Sequence, residues 1–202
     1  MWPLLLCSIV ALAVIAERAW FWGCLDLDRD RRGLENLLED YRLGKTPAMA
    51  AGEGHKPPRG AVARMLLCGL AHREYSASKA MEAMALDELK AMRRGMNILD
   101  TLITASPMLG ILGTVMGIIA SFDSLALSGV DDPQAVVAGI AEALITTAAG
   151  LIIAVAVVFP FNYFNSRLED AQDKFESWAT RLEILMEHEA APIESVEQGA
   201  RV

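Results

Sequence analysis

The sequence predicts an all-α membrane protein with three transmembrane helices, of which the second and third extend into a cytoplasmic helical bundle. Three observations support this fold class. Three apolar runs are each long enough to cross a hydrocarbon core of about 30 Å. Basic residues are concentrated in the long segment between the first two runs. Apolar stripes at helical spacing continue beyond the second and third runs, as expected of amphipathic helices outside the membrane.

The composition agrees with spans joined to soluble helices. The chain has 202 residues, of which 53% are hydrophobic and 22% are charged, and its mean hydropathy is +0.32. An ordinary soluble domain is less apolar than this. The formal net charge of −8 argues against a nucleic-acid partner, because binding to a phosphate backbone requires a clustered basic surface and the sequence has none.

The first span is predicted over residues 1–22. Trp2 lies at one end and Trp20 near the other, where aromatic side chains anchor a helix at the membrane interface. A secretory signal peptide is the alternative interpretation. However, no Lys or Arg precedes the apolar run, and Glu17 and Arg18 stand where a small-residue cleavage site would be needed. We therefore expect a retained membrane anchor.

The second and third spans are predicted over residues 101–122 and 135–163, and both are more apolar than a soluble helix of that length. Segment 23–100 between the first two spans holds most of the Lys and Arg residues, whereas the short loop 123–134 has none. The positive-inside rule then places segment 23–100 and the C-terminal residues 164–202 in the cytoplasm, with the N-terminus and the loop outside.

The cytoplasmic segments are predicted to be helical. A first helix over 27–43 is followed by a linker over 44–60 that is rich in Pro and Gly. An apolar stripe then starts at Met81 and, with no proline before the second span, predicts one helix that runs unbroken into it. After the third span, a stripe from Leu168 to Leu185 predicts a further helix, and a flexible tail is expected from Ala190.

Glu142 is the first candidate for function because it lies inside the third apolar run. An ionised carboxylate in hydrocarbon is costly, so such residues normally face a bundle interior or a water-filled path. The alternative is a side chain that reaches toward the outer headgroups.

Small residues give the second and third spans smooth faces on which another helix could pack closely. The glycines predicted to do so are Gly110, Gly113, Gly117, Gly139 and Gly150. Close approach of this kind favours an oligomer over a lone helix in lipid. Simple helix packing is the plainer interpretation, and it does not exclude a pore.

Two of these segments resemble a known family. The run ASPMLGILGTVMGIIASF at residues 105–122 is similar to the second-span signature of ExbB and TolQ proteins, and GIAEALITTAAGL at residues 139–151 is similar to their third-span signature. Ala16-Glu-Arg18 at the end of the first span adds a weaker likeness. MotA proteins of the same family have four spans, so three spans favour the ExbB/TolQ branch.

The resemblance implies a proton-channel subunit of an energy-transducing motor in the bacterial inner membrane, with a periplasmic N-terminus and a cytoplasmic C-terminus. It implies a homo-oligomer, a pentamer, around the span of an ExbD- or TolR-like partner in a central pore, and a TonB- or TolA-like protein that receives the motion. The polar positions that face the lumen in the family match Thr114, Glu142 and Thr147. On an ideal helix Thr146 lies about 40° from Glu142 and Thr147 about 140° away, so Thr146 is a candidate too.

Three functions remain open at this point. An ExbB-like subunit would power TonB-dependent outer-membrane uptake, a TolQ-like subunit would maintain the envelope, and a non-conducting scaffold would only hold a partner helix. An enzyme is not expected, because the sequence has no nucleophile triad, phosphate loop or paired carboxylates. Neither a cofactor nor a metal is expected, because Cys7, Cys24 and Cys68 lack metal-ligand spacing and the three histidines are far apart in the sequence.

Overall fold

The computed structural model describes residues 2–25, 31–43, 60–73, 75–128 and 133–190. These residues form six α-helices, which confirms the all-α prediction. We number them α1 (Trp2–Cys24), α2 (Arg31–Arg42), α3 (Ala61–Ala71), α4 (Ala77–Arg93), α5 (Met96–Ser128) and α6 (Pro133–Ala190). The predicted linker 44–60, apart from Gly60, and residues 191–202 of the predicted tail lie outside the described residues.

Three of these helices are long and apolar enough to cross a membrane, as predicted. They are α1, most of α5 up to Leu125, and α6 from Val136 onward. The continuous helix α6 also confirms that the third span extends far beyond the apolar run, because it includes the stripe from Leu168 to Leu185 without interruption.

The chain divides into two compact units, and the first comprises Met1–Gly23 and Arg94–Ser166. Within it, α1 buries Leu4, Cys7 and Ala11, which are spaced three and four residues apart on one helical face. Leu5, Leu6 and Ile9 on the other side of α1 are more than half exposed, as expected of side chains that face lipid.

The second unit comprises Cys24–Arg93 and Arg167–Val202. Its core is the predicted stripe on α6, in which Ala171, Phe175 and Leu182 are at most 2% exposed. Helix α3, which was not predicted from the sequence, adds Met65 and Leu66 with 0% exposure. Burial of a large apolar side chain stabilises a fold by about 1.5–3 kcal/mol, so α3 is an integral part of this unit.

An ion pair joins α3 to α4. The Arg64 guanidinium donates from Nε and Nη2 to the two carboxylate oxygens of Glu88, at 2.6 and 2.8 Å. The hydrogen bonds from Arg64 to this carboxylate raise the pKa of Arg64 above its usual value, against a smaller opposing effect of burial. The guanidinium therefore stays charged at every working pH.

The prediction of an unbroken helix from Met81 into the second span was wrong. Helix α4 ends at Arg93 and α5 begins at Met96, and Gly95 between them has a φ of 81°. This left-handed conformation is strained for residues with a Cβ atom and ends helices readily when it falls on glycine. The predicted helix 27–43 is observed from Arg31 to Arg42, and residues 26–30 are not described.

Candidate functional site

The glycines of α5 lie directly against α6. A Cβ atom built on Gly110 would be 3.0 Å from the Thr146 carbonyl oxygen, and one on Gly113 would be 2.6 Å from Thr146 Oγ1. One on Gly117 would be 2.6 Å from the Cβ of Ala143. Any side chain at these positions would force the two helices apart, so glycine is what permits the close contact.

The glycines of α6 make the reciprocal contact with α5. A Cβ atom on Gly150 would be 2.5 Å from the Ser106 carbonyl oxygen and 3.1 Å from Gly110 Cα. A Cβ atom on Gly139 would collide with the side chain of Ser121. The five glycines singled out from the sequence are thus all at the α5–α6 contact.

Three threonine hydroxyls gather at the centre of this contact. Thr146 and Thr147 of α6 lie within donating distance of the Gly110 carbonyl oxygen, at 3.2 and 3.1 Å. Thr114 of α5 lies 3.2 Å from the same oxygen and 3.3 Å from that of Ala143, and it is hydrogen-bonded to Thr147. Thr146 also reaches the Ala143 oxygen at 2.7 Å. The hydroxyls therefore form one hydrogen-bonded cluster that links both helices.

Glu142 lies on a separate flank of α6, where its side chain is exposed. It lines a groove of about 460 Å³ between α5 and α6, together with the polar residues Ser121, Ser124 and Thr146. The groove provides hydroxyl groups beside a carboxylate in a stretch of helix that is otherwise apolar. Such a surface can hold water or accept the polar side chain of a neighbouring helix.

The four candidate residues thus divide between two adjacent sites, the groove and the hydroxyl cluster. Glu142 and Thr146 line the groove, whereas Thr114 and Thr147 do not. Thr146 connects the groove to the hydroxyl cluster, because it lines the groove and shares the Gly110 oxygen with Thr147. It is only 7% exposed. This division follows the angles on the ideal helix, on which Thr146 lies near Glu142 and Thr147 does not.

The serines of α5 were not predicted as part of the site. Ser121 follows Thr114 by two helical turns, so the spacing alone places both hydroxyls near one face of α5. Ser106 is fully buried, and its hydroxyl has no hydrogen-bond partner among the described residues. Within the same part of the chain, no three His, Cys, Asp or Glu residues are grouped so that they could hold a metal ion.

Three membrane-length helices, a glycine-lined contact between two of them, and hydroxyls and a carboxylate along that contact define a polytopic membrane protein with polar groups inside its spans. Channels and transporters are built in this way. The model of the MotA/TolQ/ExbB proton channel family matches residues 59–177. The chain belongs to this family.

Individual relatives support the same assignment. The chain is 39% identical over 195 residues to the biopolymer transport protein ExbB-like 1 of Synechocystis sp., covering 92% of this chain and 74% of that protein. It is 36% identical over 169 residues to ExbB-like 3 of the same organism, covering 81% and 79%. It is 30% identical over 182 residues to the biopolymer transport protein ExbB of Neisseria meningitidis, covering 80% and 79%. The chain is thus an ExbB-like member of a proton channel family.

Proposed function

We propose that this chain is the proton-conducting subunit of an inner-membrane motor that powers TonB-dependent uptake across the outer membrane. The observation that carries the proposal is the position of Glu142, a carboxylate on a hydroxyl-lined groove of a membrane-length helix. A carboxylate there is costly unless it faces water or a polar partner. A proton path supplies both.

The proposed assembly is a pentamer of this chain around the span of an ExbD- or TolR-like partner. In support, Glu142 is exposed in the single chain and the groove is open, so a neighbouring helix can cover them. Glu142, Thr146, Thr147 and Thr114 would then line the route of the proton. The N-terminus would be periplasmic and the C-terminus cytoplasmic, because the Lys- and Arg-rich segment 23–100 favours the cytoplasmic side.

The receiver of the motion is a TonB-like protein in this proposal. The names of the relatives favour ExbB over TolQ. A TolQ-like subunit that acts with a TolA-like protein is the second candidate, since the span signatures resemble both branches. A non-conducting scaffold, in which Glu142 only fastens a partner helix, is the third.

The decisive experiment compares assembly with proton flux. The chain and its partner are co-purified, reconstituted into vesicles containing a pH-sensitive dye, and exposed to a proton gradient. Glu142→Gln keeps the shape of the side chain but removes its charge and its titration, so we expect normal assembly and a strongly reduced flux. Glu187→Gln changes an exposed carboxylate outside the apolar run and is the matched control.

The scaffold hypothesis predicts a loss of assembly in Glu142→Gln, whereas the proton-path proposal predicts a loss of flux with normal assembly. If Glu142 only fastens the partner, Glu142→Gln should reduce the amount of assembled complex, measured by native mass spectrometry, while the flux per assembled complex stays at the level of the Glu187→Gln control. A Glu142→Gln complex that assembles fully and conducts at the rate of the Glu187→Gln control would remove Glu142 from the mechanism.

A further inference from the structure

The second unit contains an open groove between α4 and α6 that the proposed proton path does not use. Its floor is apolar and is formed by Met65, Met81, Ala85, Leu86, Leu89 and Phe175. Most of these side chains are buried or half-buried, but Leu86 is 59% exposed. A large exposed apolar side chain in a concave site is typical of a surface that binds another chain.

The rim of this groove is acidic. Glu82 of α4 stands on one wall, and Glu176 and Glu183 of α6 stand on the other. Among the described residues, no Lys or Arg lines the groove. Carboxylates on both sides of an apolar floor favour a ligand that is apolar along one stripe and positively charged along both flanks.

The dimensions of the groove suit a short helix. Its lining extends from Ser78 to Leu89 on α4 and from Gln172 to Glu183 on α6. At about 1.5 Å per residue, each wall is roughly 16 Å long, which corresponds to about three turns of helix. Apolar side chains at positions i, i+3 or i+4 and i+7 of a bound helix would reach the floor along this length.

We propose that this groove is a docking site for a basic amphipathic helix of another protein. A second copy of this chain complements it poorly, because α2 and α4 carry as many acidic as basic residues and α6 carries more acidic than basic ones. The chain's own C-terminal residues 191–202 do not fit either, because Glu194 and Glu197 outnumber Arg201. A helix rich in Leu and Lys or Arg matches both the floor and the rim.

The test uses the full chain in phosphatidylcholine nanodiscs, whose lipids carry no net charge. The probe is a fluorescein-labelled 14-residue amphipathic helix of Leu and Lys, with a helix of Leu and Glu as its counterpart and empty nanodiscs as the background. We expect saturable binding of the Lys helix, measured by fluorescence anisotropy, and none of the Glu helix. An exposed ion pair changes Kd by about twofold to fivefold.

Charge reversal separates this groove from general attraction between opposite charges. Glu82→Lys with Glu176→Lys reverses one carboxylate on each wall, and we expect it to weaken binding of the Lys helix by about tenfold or more. Asp87→Lys with Asp173→Lys makes the same change in net charge on the same two helices but outside the groove, and it should change binding by less than about twofold. Equal losses in the two variants would overturn the proposal.

Crosslinking tests the occupant directly. A photo-reactive p-benzoyl-phenylalanine at Leu86 lies in the groove, and one at Asp87 is its neighbour outside. In cells, the probe at position 86 should crosslink to a Lys- or Arg-rich amphipathic segment, and the probe at position 87 should not. Adding Glu82→Lys and Glu176→Lys to the first variant should abolish the crosslinked product. A product with the mass of two copies of this chain, a captured acidic segment, or no product would each contradict the proposal.

Discussion

Replacement of Gly150 by Ala tests the close contact between α5 and α6 on which the hydroxyl cluster depends. The added Cβ would be 2.5 Å from the Ser106 carbonyl oxygen, whereas ordinary van der Waals contact begins at 3.4 Å. The two backbones must therefore separate locally by about 0.9 Å, since a backbone oxygen cannot rotate away as a side chain can.

The energetic cost of Gly150→Ala follows from this separation. Overpacking of a tight contact costs about 1–3 kcal/mol. The hydrogen bond from Thr147 to the Gly110 oxygen, now 3.1 Å, would lengthen beyond bonding distance, whereas Thr146 can turn to the Ala143 oxygen of its own helix. Each such bond in a membrane protein is worth about 0.6 kcal/mol. The higher helix propensity of Ala returns about 1 kcal/mol, which leaves a net destabilisation of about 1–3 kcal/mol.

The assay for this prediction is unfolding of the detergent-solubilised chain by SDS, followed by far-ultraviolet circular dichroism. Gly23→Ala is the matched control, because a Cβ at Gly23 of α1 would meet no atom of the described residues within 4 Å. We expect this control to be neutral or slightly stabilising. An unfolding midpoint of Gly150→Ala equal to that of Gly23→Ala would refute the close contact.

Three further predictions concern particular contacts. Arg64→Ala and Glu88→Ala should show a coupling energy of about 0.5–1 kcal/mol in a double-mutant cycle. Because the pKa of Arg64 is raised, the ion pair contributes its full stability below the ordinary Arg pKa. This stability is lost only as pH rises through the raised pKa, so unfolding at pH 7 and at pH 9 should give the same coupling energy. Gly95→Ala should cost about 1–2 kcal/mol because of the φ of 81°, and Gly95→Asn should cost less; thermal unfolding measures both. Thr114→Val should unfold close to the wild type but conduct fewer protons in the vesicle assay, whereas Thr114→Ser should conduct normally.

The elements with strong periodicity could be predicted from the sequence, and the others could not. The stripe of α6 is a repeat of apolar residues at steps of three and four, so the sequence alone indicates its helix. Helix α3 is short and buries residues on most of its surface, including Val62, Ala63 and Met65. Arg64 is its one charged residue, so too few polar positions mark the buried face of α3 in the sequence. The break at Gly95 was missed because a lone glycine is also common inside helices.

The candidate site could be predicted only within each helix. Angles on an ideal helix separate Thr146 from Thr147, and the structure places these residues accordingly, with only Thr146 in the groove. The contact of Ser121 with Gly139 depends on the register between α5 and α6, and a single sequence contains no information on that register. Prediction of the docking groove in the second unit would likewise require the register between α4 and α6.

The hydroxyl cluster explains why Thr114→Val should separate stability from conduction. Thr114 reaches the Gly110 oxygen of its own helix and the Ala143 oxygen of α6, and Thr146 of α6 reaches the same two oxygens. Each of these two hydroxyls has one proton to donate. Thr114 and Thr146 can therefore each turn from an acceptor on one helix to an acceptor on the other and still make one hydrogen bond. Without the Thr114 hydroxyl, Thr147 can still donate to the Gly110 oxygen and Thr146 to the Ala143 oxygen. Both buried acceptors therefore keep a donor, and little stability is lost. What Thr114→Val removes is the hydroxyl that links Thr147 to the Ala143 oxygen of α6. A variant that lost stability and flux in equal proportion would show instead that Thr114 serves packing alone.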